Sequence, residues 1–420
     1  MDAFQIRGGT PLEGEIKIGG MKNAALPMVA ASLLAKSGTS VIRNVQDLRD
    51  IRVMLKILDQ LGALTEYDAD AEEIRVNAEN LISTTAPYEL VKQLRASFYV
   101  TGALLGRKGH CRVSMPGGCA IGNRPVTDQL LGFRRLGGVV VEEQGYVDIT
   151  AEKLEGAVTA LDFPAVSGTI NLLLAAVLAD GVTVIGNAAR DPELVDTCLF
   201  LVEMGAKIDG VGTGTLIIEG VDSLSAVTYE VAPDRINAAT FAVAAAMTKG
   251  QVRLVGARVD HFRIVISKLQ DAGATVVEEE GSVTITGPER LDAVNIRTLP
   301  YPAFPTDVQA PMMAAMTLAQ GACVVWEQVY DNRFTQGPEL RRMGANITIA
   351  GDKAVVVGVP MLKGAQVMAS DIRAGAALVL AGLAAQGDTT VSRVYHIDRG
   401  YNRLERDLAS LGAVIERVVE

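Results

Sequence analysis

One phrase recurs six times along the 420 residues: Leu61-Gly62-Ala63, Leu136-Gly137-Gly138, Met204-Gly205-Ala206, Ala272-Gly273-Ala274, Met343-Gly344-Ala345 and Leu411-Gly412-Ala413. Successive glycines are 75, 68, 68, 71 and 68 residues apart. A near-constant period is what six copies of one folding unit leave in a sequence. A copy of roughly 70 residues cannot bury its own apolar faces, so the copies must pack on one another.

Each copy has the same inner order. A helical segment rich in Ala and Leu comes first: Asn23 to Ala35, Thr169 to Asp180, Ala238 to Lys249, Gln309 to Gln320 and Gly375 to Gln386. A β-branched run follows, such as Thr39-Ser40-Val41-Ile42 or Val182-Thr183-Val184-Ile185. An amphipathic helix then runs to the glycine phrase, as in Asp50 to Gln60 with Ile51, Met54, Leu55 and Leu58 on one face. The glycine supplies a left-handed stop. A strand hairpin closes the copy, for example Ala274 to Gly287. The unit is β-α-β-α-β-β, and six of them divide most simply as three plus three.

Composition narrows the function classes. Apolar residues make up 49% of the chain, with a single Trp, so the cores are built of Ala, Val, Leu and Ile. The longest apolar stretch, Ala374 to Ala385, is too short to span a bilayer, and Met1-Asp2-Ala3 lacks the basic start of a signal peptide. The expectation is a cytoplasmic protein without membrane insertion. Cys111, Cys119, Cys198 and Cys323 have no CxxC spacing, and three histidines leave no metal-ligand cluster. Neither metal nor cofactor is expected. A net charge of −10 without a basic stripe argues against nucleic acid, but an anionic ligand needs only a few cations focused at one place.

The helix starts show where such cations stand. Read as one set of equivalent positions, they carry Lys22-Asn23, Arg95, Ser167-Gly168-Thr169, Asp234-Arg235, Thr306-Asp307 and Asp371 with Arg373. Helix capping explains Ser167, Asp234 and Thr306 as readily as ligand binding does. It does not explain Lys22, Arg95, Arg235 and Arg373, because a cation at the positive end of a helix dipole is unfavourable by about 0.3–1 kcal/mol. Cations set against their own dipoles point to a shared anion, phosphate or carboxylate.

A second segment, Met115 to Pro125, holds three Gly and two Pro and must be a loop. Cys119 sits in it, five residues before Arg124, where a nearby cation favours the thiolate. A small residue in a turn is the bland reading of Cys119. The other three cysteines fall in apolar strand or helix patterns and read as buried.

These residues match a family. Lys22-Asn23-Ala24-Ala25-Leu26-Pro27, the Pro116 to Pro125 loop, Pro233-Asp234-Arg235-Ile236, Phe304-Pro305-Thr306-Asp307 and His396-Ile397-Asp398-Arg399-Gly400-Tyr401 together make the whole chain resemble the enolpyruvyl transferases, and among them the branch that uses a UDP-sugar. The sister branch acting on shikimate 3-phosphate lacks the Cys loop. The resemblance implies a two-domain inside-out α/β barrel built from six β-α-β-α-β-β repeats. One domain would be residues 21–230, carrying the Cys119 loop; the other would be 1–20 plus 231–420, with the active site in the cleft between them.

The resemblance also implies the chemistry. The enolpyruvyl group of phosphoenolpyruvate would pass to the 3-hydroxyl of UDP-N-acetylglucosamine with release of phosphate, the first committed step of peptidoglycan synthesis. Lys22, Arg124, Arg373 and Arg399 would hold phosphoenolpyruvate. Asn23, Arg95, Pro125, Val126, Thr127, Asp128, Val166, Ser167, Gly168, Asp307 and Val329 would bind the acceptor. Cys119, Asp307 and Asp371 would be catalytic, Cys119 as the acid and as the target of fosfomycin. Departures from the family pattern at 127–129, 165–168, 237 and 335–337 leave two alternatives open: a paralogue acting on another nucleotide or sugar, and an inactive homologue that binds sugar nucleotide and regulates a partner. Retention of Lys22, Cys119, Arg124, Asp307 and Arg399 weighs against the second.

Overall fold

The computed structural model describes residues 2–115 and 126–419. They form two compact units, residues 20–115 with 126–232, and residues 2–19 with 233–419. The former is the first unit and the latter the second.

Both are made of the repeated element order that the sequence announces. In the first unit Thr39–Arg43 pairs antiparallel with Glu73–Asn77, which pairs with Leu64–Asp68, and Thr228–Glu230 adds a parallel edge. Val182–Gly186 lies between Thr215–Glu219 and the parallel Val158–Ala160, with Lys207–Asp209 on the outer side. The third sheet is His110–Ser114, Tyr146–Thr150 and Val139–Glu143, and a single parallel bridge from Thr85 to Arg112 stands where the fourth strand would be. The second unit has three four-stranded sheets of the same kind. Two of them take a strand from the start of the chain: Asp2–Arg7 lies between Asp388–Ser392 and Val414–Val419, and Glu13–Lys17 runs parallel to Gln251–Val255.

Three helices form the interior of each unit. In the first they are Lys22–Ala31, Tyr99–Lys108 and Val166–Ala176; in the second, Arg235–Met247, Thr306–Met316 and Ile372–Ala384. All thirteen residues of Arg235–Met247 are buried, which accounts for the Ala-rich composition: small side chains let helices buried on every side approach closely. The amphipathic helix of each copy covers the outside, as Arg49–Leu61 does with Ile51, Met54, Leu55 and Leu58 inward. The six glycines of the recurring phrase all have positive φ, from +92° to +108°. They end these helices in the left-handed conformation that a side chain disfavours.

One feature differs from the sequence reading. Four of the interior helices begin three residues before their apolar run, at Val166, Arg235, Thr306 and Ile372. The apolar run marks where burial begins, whereas the helix begins at its first helical turn. The polar residues therefore sit on that turn, with their backbone N–H groups beside them. No helix among the described residues is long and apolar enough to cross a membrane.

Candidate active site

In the second unit the start of Thr306–Met316 carries Asp307 between two arginines. Arg333 Nη2 donates to Oδ1 at 2.6 Å, while Arg373 donates to Oδ2 from Nε at 3.2 Å and from Nη2 at 3.1 Å. Both arginines are buried. Burial would raise the carboxyl, but the charges of Arg373 and Arg333 and their hydrogen bonds outweigh it and hold Asp307 well below the usual carboxylate range. Arg373 Nη1 is buried with no hydrogen-bond partner among the described residues, and the guanidinium lies 5.2 Å from the centre of the Tyr401 ring.

Glu327 fixes the ground beneath Asp307. It is 2% exposed, and its Oε2 accepts from Thr306 Oγ1 at 2.9 Å. Its Oε1 accepts from Thr298 Oγ1 at 2.7 Å and from the backbone N–H of Val329 at 2.9 Å and Tyr330 at 3.2 Å. Val329 is thereby held in place by its backbone.

Asp371 caps Ile372–Ala384. Oδ1 accepts from the N–H groups of Arg373 at 2.9 Å and Ala374 at 3.0 Å; Oδ2 accepts from Thr335 Oγ1 at 2.9 Å and Ser370 Oγ at 3.3 Å. Arg399 ends the 3₁₀ turn Val394–Arg399. Partial burial and then the charge of Arg399 push His396 down, against a smaller upward pull from Asp371. Asp307, Arg373 and Asp371 are thus joined by direct hydrogen bonds, and the charges of Asp371 and Arg399 both act on His396.

In the first unit Lys22 opens its helix, and its Nζ lies 3.3 Å from Asp50 Oδ2 in the first turn of Arg49–Leu61. Both side chains are buried, so the charges compensate each other where water does not. Asn23 follows Lys22 on the same turn, and Arg95 starts the turn Arg95–Phe98. Val126 precedes the helix Thr127–Arg135, and Asp128 in its first turn accepts from the Asp162 N–H at 3.1 Å. This bond ties that helix start to the loop leading into Val166, Ser167 and Gly168. Cys119, Arg124 and Pro125 lie outside the described residues.

Capping divides the three residues it was offered for. Asp234 is a cap, accepting from Ile236 N at 2.8 Å and Asn237 N at 3.1 Å. Ser167 makes no cap bond, and the Thr306 hydroxyl goes to Glu327. Two departures from the family pattern have internal work: Gln129 Oε1 accepts from Asn171 Nδ2 at 2.8 Å, and Gln336 Nε2 donates to Gln309 Oε1 at 3.1 Å. Cys111, Cys198 and Cys323 are buried, which pushes the Cys198 thiol up to about 12 and the Cys323 thiol up to about 11. Asp50, Glu327 and Arg333 are the members that sequence reasoning missed. Each is an ordinary charged residue in sequence, identified only by a partner 21 to 28 positions away.

A family model described as EPSP synthase (3-phosphoshikimate 1-carboxyvinyltransferase) matches residues 6–408. A UDP-N-acetylglucosamine 1-carboxyvinyltransferase 1 of Caldanaerobacter subterraneus subsp. tengcongensis is 50% identical over 414 residues, 99% of each chain. The UDP-N-acetylglucosamine 1-carboxyvinyltransferase of Myxococcus xanthus is 49% identical over 418 residues, again 99% of each. Among solved structures, the enolpyruvyl transferase NikO from Streptomyces tendae superposes with a TM-score of 0.90 at 27% identity, covering 100% of this chain and 99% of that one. An EPSP synthase from Acinetobacter baumannii, at 20% identity and a TM-score of 0.77 over the full length of both, shares the fold.

Proposed function

The chain belongs to the enolpyruvyl transferase family that includes EPSP synthase and is a transferase; from this premise we propose that it moves the enolpyruvyl group of phosphoenolpyruvate to the 3-hydroxyl of UDP-N-acetylglucosamine and releases phosphate. The observation that carries this reading is identity of 46–50% along nearly the whole length of relatives named for that reaction. The Arg333–Asp307–Arg373 group supports it from the side of geometry. The reaction would be cytoplasmic and the first committed step of peptidoglycan synthesis.

The chemistry assigns a task to each group. Phosphoenolpyruvate carries a phosphate and a carboxylate, and taking both from water requires several cations. Lys22, Arg124, Arg373 and Arg399 supply them. The acceptor is bound by Asn23, Arg95, Pro125 to Asp128, Val166 to Gly168 and Val329, the last through backbone geometry fixed by Glu327. The acceptor oxygen attacks the substituted vinyl carbon while Asp307 takes the hydroxyl proton and the Cys119 thiol protonates the methylene carbon. The resulting adduct loses a methyl proton and its carbon–oxygen bond to phosphate breaks, which restores the double bond in the product.

Arg373 links binding to this step. When its charge turns to the substrate anion, Asp307 loses one of the two cations that hold its proton affinity low. The carboxylate then becomes a stronger base at the moment a substrate is present. Incubation with both substrates followed by mass spectrometry of the acceptor tests the proposal: a UDP-N-acetylglucosamine enolpyruvyl ether supports it, and an unmodified acceptor with phosphoenolpyruvate consumed contradicts it.

A further inference from the structure

Four consecutive side chains in the second unit, Arg333 to Gln336, all reach partners on other elements of that unit. Arg333 holds Asp307, Phe334 enters the apolar core, Thr335 holds Asp371, and Gln336 reaches Gln309. The segment is a strap that ties the first turns of Thr306–Met316 and Ile372–Ala384 to each other. A carboxylate has about four acceptor sites. On Asp371 two are taken by the cap and two by the hydroxyls of Thr335 and Ser370.

A carboxylate so occupied is an anchor and a poor proton carrier, since accepting a proton means giving up one of these bonds. We propose that Asp371 is a positioning residue that acts through Arg373, and that Thr335 is the second positioning residue, because its hydroxyl fixes the Asp371 oxygen left over from the cap. This inference rests on the enolpyruvyl-transfer reading. It gives a carboxylate that the resemblance makes catalytic the task of alignment instead. With the Asp371 carboxylate pinned, the first turn that carries Arg373 cannot rotate, and the guanidinium stays lined up on Asp307 until a substrate anion draws it away. Without the Thr335 hydroxyl, both the cap and the register of Arg333, two residues earlier, relax together.

The test uses the full chain as wild type, T335V, T335S and D371N, read by phosphate release across pH, by calorimetric binding of phosphoenolpyruvate and by thermal unfolding. T335V, isosteric but without the hydroxyl, is expected to weaken phosphoenolpyruvate roughly tenfold in both KM and Kd, the loss of one hydrogen bond to a charged group, with kcat changed much less. T335S restores the wild-type values, which a merely structural role for the threonine methyl would not predict. D371N keeps an oxygen for the cap and an amide for the two hydroxyls, so its loss is expected in KM and Kd for phosphoenolpyruvate, as for T335V, with both limbs of the pH profile still present. T335V binding phosphoenolpyruvate like the wild type overturns the proposal, as does D371N losing the ~10²–10⁴-fold of a proton carrier together with one limb of its pH profile. A wild type that binds phosphoenolpyruvate but releases no phosphate in the presence of UDP-N-acetylglucosamine defeats the functional reading instead, and the binding arm of T335V against T335S still decides the role of Thr335.

Discussion

Asp307 is under two opposed pressures, and their balance gives the site its pH behaviour. Burial disfavours its charge; Arg373 and Arg333 favour it more strongly, so the folded chain binds its proton less readily than an unfolded carboxyl of ordinary value 3.8 does. Stability from this group is therefore complete well above that value and is lost as pH falls below about 4, where the unfolded chain takes up the proton first. D307N leaves two buried guanidiniums without their counter-charge and should cost about 3–5 kcal/mol near neutral pH. Denaturant unfolding of wild type and D307N should show the gap narrowing toward pH 3, and a constant gap would contradict the clamp. At Cys119 the prediction is chemical: fosfomycin should inactivate the wild type irreversibly, and Cys119→Asp should escape. Unchanged sensitivity of that variant removes Cys119 from the reaction.

At the scale of elements, the recurring glycine phrase is one device in six surroundings. Gly412 has φ +92° with nothing within 4 Å of an added Cβ, so Gly412→Ala should cost only the backbone penalty, about 1–2 kcal/mol. Gly62 has φ +100°, and its Cβ would stand 2.8 Å from both the Asn80 carbonyl oxygen and the Ile82 nitrogen. Overpacking against backbone adds about 1–3 kcal/mol there, and equal unfolding free energies for the two variants would refute this reading. Another element-level prediction concerns the helix Leu404–Ser410. Burial, aided by Glu405, pushes Asp407 up to about 6. The folded chain then holds a proton that the unfolded chain has released, so stability falls as pH rises from about 4 to about 6. Asp407→Asn should raise the melting temperature at pH 7 and leave it unchanged at pH 4.

For the whole molecule, what the sequence disclosed follows from what repeats. The six glycine phrases mark six helix ends, and the alternation of apolar run and β-branched run yields the element order, because period and capping are local properties of the chain. Four interior helices start three residues before their apolar runs, since a polar first turn carries no apolar signal. Pairings within the site were invisible for a related reason: Asp307 meets Arg373 across 66 positions and Arg333 across 26, and nothing local in a charged residue names its partner. Lys22 and Arg373 stand out in the sequence because a cation against its own helix dipole is a local anomaly, whereas Arg399 is marked only by the family motif that holds it. Asp50, Glu327 and Arg333 carry no such mark, since each is an ordinary charged residue until its distant partner is known.

Phosphate release from phosphoenolpyruvate, followed with UDP-N-acetylglucosamine and with a panel of other nucleotides and UDP-sugars, tests the proposed function most directly. Release that depends on UDP-N-acetylglucosamine and matches it mole for mole is the predicted result. No release with that acceptor, or faster release with another member of the panel, would contradict it.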